Sequence, residues 1–239
     1  MATNSILLRK TLDKRLFWAT AFLFPAVIFI GFAKSYYLKT IFDPRPLANA
    51  NVHIHGLVMS FWVLLFAVQI ILIRTKNVKT HMRFGMIGVG LAVAVVVSGL
   101  YTIYDSLIIR GQQIIGMNPH SFVIIPFTSL MVFIILFSAA ILYRKSPTEH
   151  KSLMFLTAVN FLPFGFSRIE IVPEEYQIPW AFGGPILFGI AAFVWFTVKT
   201  KKLNKVFAAG LLLIIISVPL RVALMESSIW LNAVALIAP

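Results

Sequence analysis

Three of the five histidines in this 239-residue chain stand where an apolar stretch begins. His53 and His55 lie in Asn51-Val52-His53-Ile54-His55-Gly56, ahead of an apolar run that continues to Ile73. His120 opens a later run in Asn118-Pro119-His120-Ser121. In or beside the first turn of a helix, imidazole meets the positive end of the helix dipole, which disfavours the imidazolium form. Neutral imidazole is the form that ligates metals. Two chemistries fit the spacing. In the first, the His-x-His pair chelates copper or zinc with His120 as third ligand, and Asp105 or Glu170 as an addition. In the second, His120 and one of His53 or His55 ligate a heme iron from opposite sides. Residues two apart on a helix point about 200° away from each other, so only one of the pair would face the iron. The bland alternative is a solvated boundary layer in which the three histidines bind nothing.

These residues need helices that cross a membrane to position them. Hydrophobic residues make up 59% of the chain and charged residues only 12%, with a mean hydropathy of +0.90. That balance excludes an ordinary soluble fold. Seven apolar runs are near the length of about 20 residues that spans a bilayer as a helix. They cover residues 16–33, 54–73, 84–104, 121–143, 152–167, 180–198 and 206–225. The fold class expected is an all-α bundle of about seven spans in one integral membrane domain, 1–239. The fifth run is the shortest and contains Asn160 and Pro163, which argues against a straight helix. Ile229 to Ala238 is too short to cross, and would lie in the interface or prolong the seventh helix.

Loop charge orients the bundle. Fifteen of the 21 Lys and Arg residues fall on one side: Arg9, Lys10, Lys14 and Arg15, then Arg74, Lys76, Lys79 and Arg83, then Arg144, Lys145 and Lys151, then Lys199, Lys201, Lys202 and Lys205. The other side holds Lys34, Lys39, Arg45, Arg110, Arg168 and Arg221. The positive-inside rule makes the first side cytoplasmic, with the N-terminus inside and the C-terminus outside. The net charge of +13 is thereby accounted for by topology, and nucleic acid is not an expected partner. The basic segment before residue 16 is read as flanking an uncleaved first helix rather than as a signal peptide.

This topology gathers His53, His55, His120 and Asp105 at the outer face, with an ionisable layer of Arg168, Glu170, Arg221 and Glu226. Ionisable groups at that depth mark a functional site by default, although Arg168 with Glu170 and Arg221 with Glu226 are also expected as structural ion pairs. His81 and His150 form a candidate second site on the inner side. Gln69, Ser98, Thr128 and Asn160 are expected to hydrogen-bond between helices, and Gly85, Gly88, Gly90 and Gly99 to let the third helix pack closely. With no cysteine, thiolate metal sites, disulfides and thiol redox chemistry are excluded. No nucleophile–base pair stands out, so no catalytic residue is assigned. A Schiff-base lysine of the retinal type is absent from 206–225, and phosphate loops and zincin motifs are missing.

The stretch from His53 to Tyr104 carries His-x-His-Gly, a helix with Trp62 and Gln69, a basic turn, His81-Met82-Arg83-Phe84-Gly85 and Ser98-Gly99-Leu100. It resembles a group of uncharacterised bacterial polytopic membrane proteins. More distantly, it looks like membrane proteins of cytochrome oxidase assembly and membrane b-type cytochromes. Met82 departs from the His-Arg pair of that pattern. The resemblance implies a bacterial plasma (inner) membrane setting and histidines holding heme b or copper. The expected function is therefore electron transfer or respiratory oxidase assembly, with a respiratory complex or redox partner. The competing expectations are a small transporter with an outer ionisable gate, in which Gln69 and Asn160 are polar steps, and a cofactor-free partner subunit.

Overall fold

In the computed structural model, residues 18–42, 49–111 and 118–237 are described. Arg9, Lys10, Lys14, Arg15 and Arg45 lie outside them. Every regular element among the described residues is helical. The long helices are α1 Trp18–Tyr37, α2 Ala50–Arg74, α3 Val78–Ile109, α4 Pro119–Lys145, α5 Pro147–Phe166, α6 Gln177–Thr200 and α7 Lys205–Leu224, and a short α8, Ser228–Ala235, follows.

Asparagine and serine start most of these helices by supplying an acceptor to an otherwise orphaned backbone N–H. Asn49 accepts from the Val52 N–H at 2.8 Å, Asn118 from His120 at 2.9 Å and Asn204 from Phe207 at 2.9 Å. The Asn49 cap starts α2 four residues ahead of the apolar run, so His55 sits in the second helical turn rather than the first. The far ends of α1 and α3 are π-helical turns, Ala33–Tyr37 and Tyr104–Ile109, which carry both helices past the expected boundaries. Such turns cluster at functional sites. Ser227 caps α8, accepting from Trp230 at 3.3 Å, so the C-terminal segment is a separate helix and does not prolong α7.

Six helices, all but α5, are long and apolar enough to cross a membrane. Their outward faces carry exposed Phe22, Phe61, Met86, Val97, Leu187 and Leu212. Bare apolar surface of this kind is what lipid covers. Helix α5 differs because its first turns, Pro147-Thr148-Glu149-His150-Lys151, are polar. From Leu153 through Leu162 it is buried but for the half-buried Met154. Phe161 meets Phe133 of α4 at 4.9 Å, Phe155 meets Phe188 of α6 at 5.4 Å, and Phe155 also meets Phe207 of α7 at 5.9 Å. Against α1 the approach is backbone to backbone, with Gly31 facing Gly165. Pro163 falls in the last turn, where it does not interrupt the helix.

Candidate functional site

The α1, α3, α5 and α7 C-terminal ends and the α2, α4 and α6 N-terminal ends enclose one cavity of about 910 Å³. This is near the upper end of the roughly 300–1,000 Å³ typical of ligand sites. Its walls are mostly apolar, from residues such as Ile28, Met59, Leu107 and Phe161. The polar residues of the lining include His55, Ser129, Arg168, Gln177 and Arg221, together with Tyr36, Tyr37, Lys39 and several hydroxyl side chains.

His55 is the one imidazole in this wall among the described residues. Its Nδ1 lies 3.0 Å from the Ser98 hydroxyl, which is directed at the Val95 carbonyl, 3.4 Å away. In the tautomer that places the proton on Nδ1, Ser98 Oγ accepts from Nδ1–H and Nε2 is the bare nitrogen. A partner of this kind on the second ring nitrogen is what orients ligating histidines. Gly99 makes room for the arrangement, since a methyl group there would fall 3.5 Å from His55 Cε1 and 3.0 Å from Leu130. Gly56 of the His-x-His-Gly stretch is required for another reason. A Cβ there would stand 2.5 Å from the Tyr36 ring, so glycine is what admits that aromatic to the cavity rim in this position.

The other expected site residues are dispersed. His53 faces away and is exposed, its Nδ1 3.2 Å from the Tyr36 hydroxyl, which also approaches the His53 carbonyl at 3.1 Å. His120 is half-buried but does not line the cavity, and its carbonyl accepts from the Trp230 indole N–H at 3.1 Å. Asp105 ties helix ends together, accepting from Asn49 Nδ2 at 2.6 Å and Arg110 Nε at 3.0 Å. No three His, Asp or Glu side chains among the described residues gather as a metal-ligand group. His53 and His55 diverge for the reason anticipated, the helical twist between residues two apart.

The two expected ion pairs are corrected. Glu170 meets Lys34 at 3.5 Å, at the solvent-exposed surface, and not Arg168. Arg168 instead lies over the Phe32 ring at 4.2 Å and donates to the Phe164 carbonyl at 2.7 Å. Arg221 is 4% exposed and donates to Ser129 Oγ at 3.0 Å and Ser217 Oγ at 3.1 Å, while Glu226 remains exposed. The pairs fail because Arg221 points into the bundle while Glu226 lies beyond the helix end, and because Arg168 turns to Phe32 and Phe164 while Glu170 meets Lys34. Asn160 completes this network, donating to the Ser129 carbonyl at 2.9 Å as expected of an interhelical bond.

His81 and His150 do come together at the opposite end, with ring centroids 6.4 Å apart. His150 is half-buried and not solvated as its loop sequence suggests, its Nδ1 donating to the Ala140 carbonyl at 2.8 Å. Thr128 bonds only within its own helix, and the Gln69 side-chain oxygen is buried without a partner. Gly90 faces open space. Sequence reasoning treated Ser98 as architectural and passed over Tyr36, Tyr37, Ser129 and Ser217. The adjacent tyrosines at a helix end were the available signal, being the aromatic-belt pattern of a membrane interface.

Comparison with family models, with curated proteins and with solved structures found no significant match.

Proposed function

We propose that this chain is a seven-span membrane protein that holds heme in the cavity beneath its outer face, with His55 as the iron ligand. The observation that carries the reading is the His55 ring in the cavity wall with Nδ1 3.0 Å from the Ser98 hydroxyl, a contact whose Nδ1–H tautomer leaves Nε2 for the iron. The donor set fits the group. An imidazole with a fixed tautomer suits iron, apolar walls suit a porphyrin face, and guanidinium groups suit its propionates. A copper site built from His53, His55 and His120 is less favoured, because those side chains diverge. The bound iron would supply one-electron redox chemistry. His55 would orient it, and the surrounding phenylalanine and leucine side chains would exclude water and so tune its potential. The cellular role proposed is electron transfer or assembly of a respiratory oxidase in a bacterial plasma membrane. The seven-span count rests on the cavity itself, which draws on alternating helix ends in chain order, α5 included.

The test is an optical spectrum of detergent-purified protein, oxidised and dithionite-reduced, with heme and metal analysis on the same sample. The expected result is a Soret band that shifts on reduction, at about one heme per chain. A featureless spectrum after heme supplementation, with no stoichiometric metal, overturns the reading and moves the assignment to a transporter or a structural subunit.

A further inference from the structure

Arg221 is a guanidinium buried at the wall of an apolar cavity with no carboxylate beside it. Its neighbours are neutral. Ser129 Oγ gives its proton to the Ile125 carbonyl at 2.9 Å, and Ser217 Oγ gives its own to the Ile214 carbonyl at 2.7 Å. Both hydroxyls therefore turn lone pairs toward the guanidinium, consistent with the distances of 3.0 and 3.1 Å. Two of the five N–H donors are so used. The Nε donor is buried without a partner. A buried charge is normally paired, because desolvation without compensation is costly. Among the described residues no acid supplies the pairing ion.

Arg168 lines the same cavity from an exposed position. Its guanidinium has a ring beneath it, one backbone carbonyl at 2.7 Å and the Ser167 hydroxyl at 3.4 Å, with no acid. The acid nearest to it in sequence, Glu170, is engaged by Lys34. No Asp or Glu lines the cavity among the described residues, whereas Arg168 and Arg221 do. The enclosure is thus cationic at a few points and apolar elsewhere. A ligand that complements it has an acid group on a largely apolar body, and the planar fork of guanidinium matches a carboxylate.

We infer that Arg221 and Arg168 form a receptor for the carboxylate of a predominantly apolar ligand. In the heme reading, on whose cavity this inference rests, that carboxylate is a propionate. The receptor itself does not depend on iron, which makes the two separable.

The probe is metal-free protoporphyrin IX, titrated into the full-length protein in detergent and compared with its dimethyl ester by porphyrin and tryptophan fluorescence. The wild-type protein is expected to bind the diacid more tightly than the ester by roughly tenfold or more, the worth of a charge-assisted hydrogen bond. Arg221→Met should weaken the diacid by a similar factor and leave the ester unchanged, and Arg168→Gln should act in the same direction. Equal affinity of the wild-type protein for acid and ester would overturn the inference. So would an Arg221→Met variant that weakens both alike. Should that variant not fold, the wild-type comparison and Arg168→Gln decide. Displacement of the porphyrin by palmitate but not by hexadecanol identifies a fatty-acid carboxylate as the source, and failure of palmitate to compete identifies the porphyrin acid. A protein that discriminates acid from ester yet gives no Soret shift with hemin retains the receptor and loses the heme function.

Discussion

His55→Ala is expected to abolish the Soret band of the heme-loaded protein, while His53→Ala and His120→Ala retain it. The three histidines share a depth but not a direction. His55 alone lines the cavity, His53 is exposed beside Tyr36, and His120 is tied through its backbone to Trp230. In the heme proposal His55 is the one protein ligand, and its loss leaves only the weaker carboxylate and apolar contacts to hold the porphyrin. Added imidazole should restore the band in His55→Ala by entering the vacated space, which a collapsed fold would not allow. Ser98→Ala should give an intermediate result, a loss of roughly 10–100-fold in affinity, as is typical when the partner of a ligating histidine is removed. Reduced-minus-oxidised spectra of the four variants are the measurement. An unchanged spectrum in His55→Ala would place the iron elsewhere.

The second large effect is on stability. Gly31→Ala adds one methyl group where α1 crosses α5, and that methyl would meet the Gly165 carbonyl oxygen, with Gly165 Cα at 2.8 Å and its carbonyl carbon at 2.9 Å. Backbone atoms cannot swing aside as a side chain would, so the two helices must separate. Overpacking of this kind typically costs about 1–3 kcal/mol, here at the centre of the bundle. On a chain of this size that lowers the melting temperature by on the order of 5 °C. The matched control is Gly90→Ala, where nothing lies within 4 Å of the added methyl. There the ordinary helix preference for alanine should leave stability equal or slightly higher. Thermal unfolding in detergent, followed by loss of a monodisperse species, reads both. If Gly31→Ala melts with Gly90→Ala, the close crossing is not what holds α1 to the bundle.

Hydropathy and capping residues by themselves determined where the helices lie. The run at 54–73 sits inside α2 and that at 206–225 overruns α7 by one residue, and the asparagines at positions 49, 77 and 204 mark helix starts. Helical geometry alone also determined that His53 and His55 diverge, because the angle between residues two apart is a property of any α-helix. Short connections such as Thr75–Asn77 implied antiparallel neighbours. What only the tertiary structure decided is which face of each helix turns inward. Lipid tails and a protein interior are equally apolar, so a uniformly hydrophobic run carries no mark distinguishing the two. For that reason the central place of α5 and the choice of His55 over His53 were not legible beforehand, whereas the approach of His81 to His150 was anticipated from their common side. Arg221 is the sharpest case. Glu226 is its neighbour in sequence, yet the guanidinium is served by Ser129, 92 positions away, because side-chain direction and not sequence distance settles what a buried charge can reach.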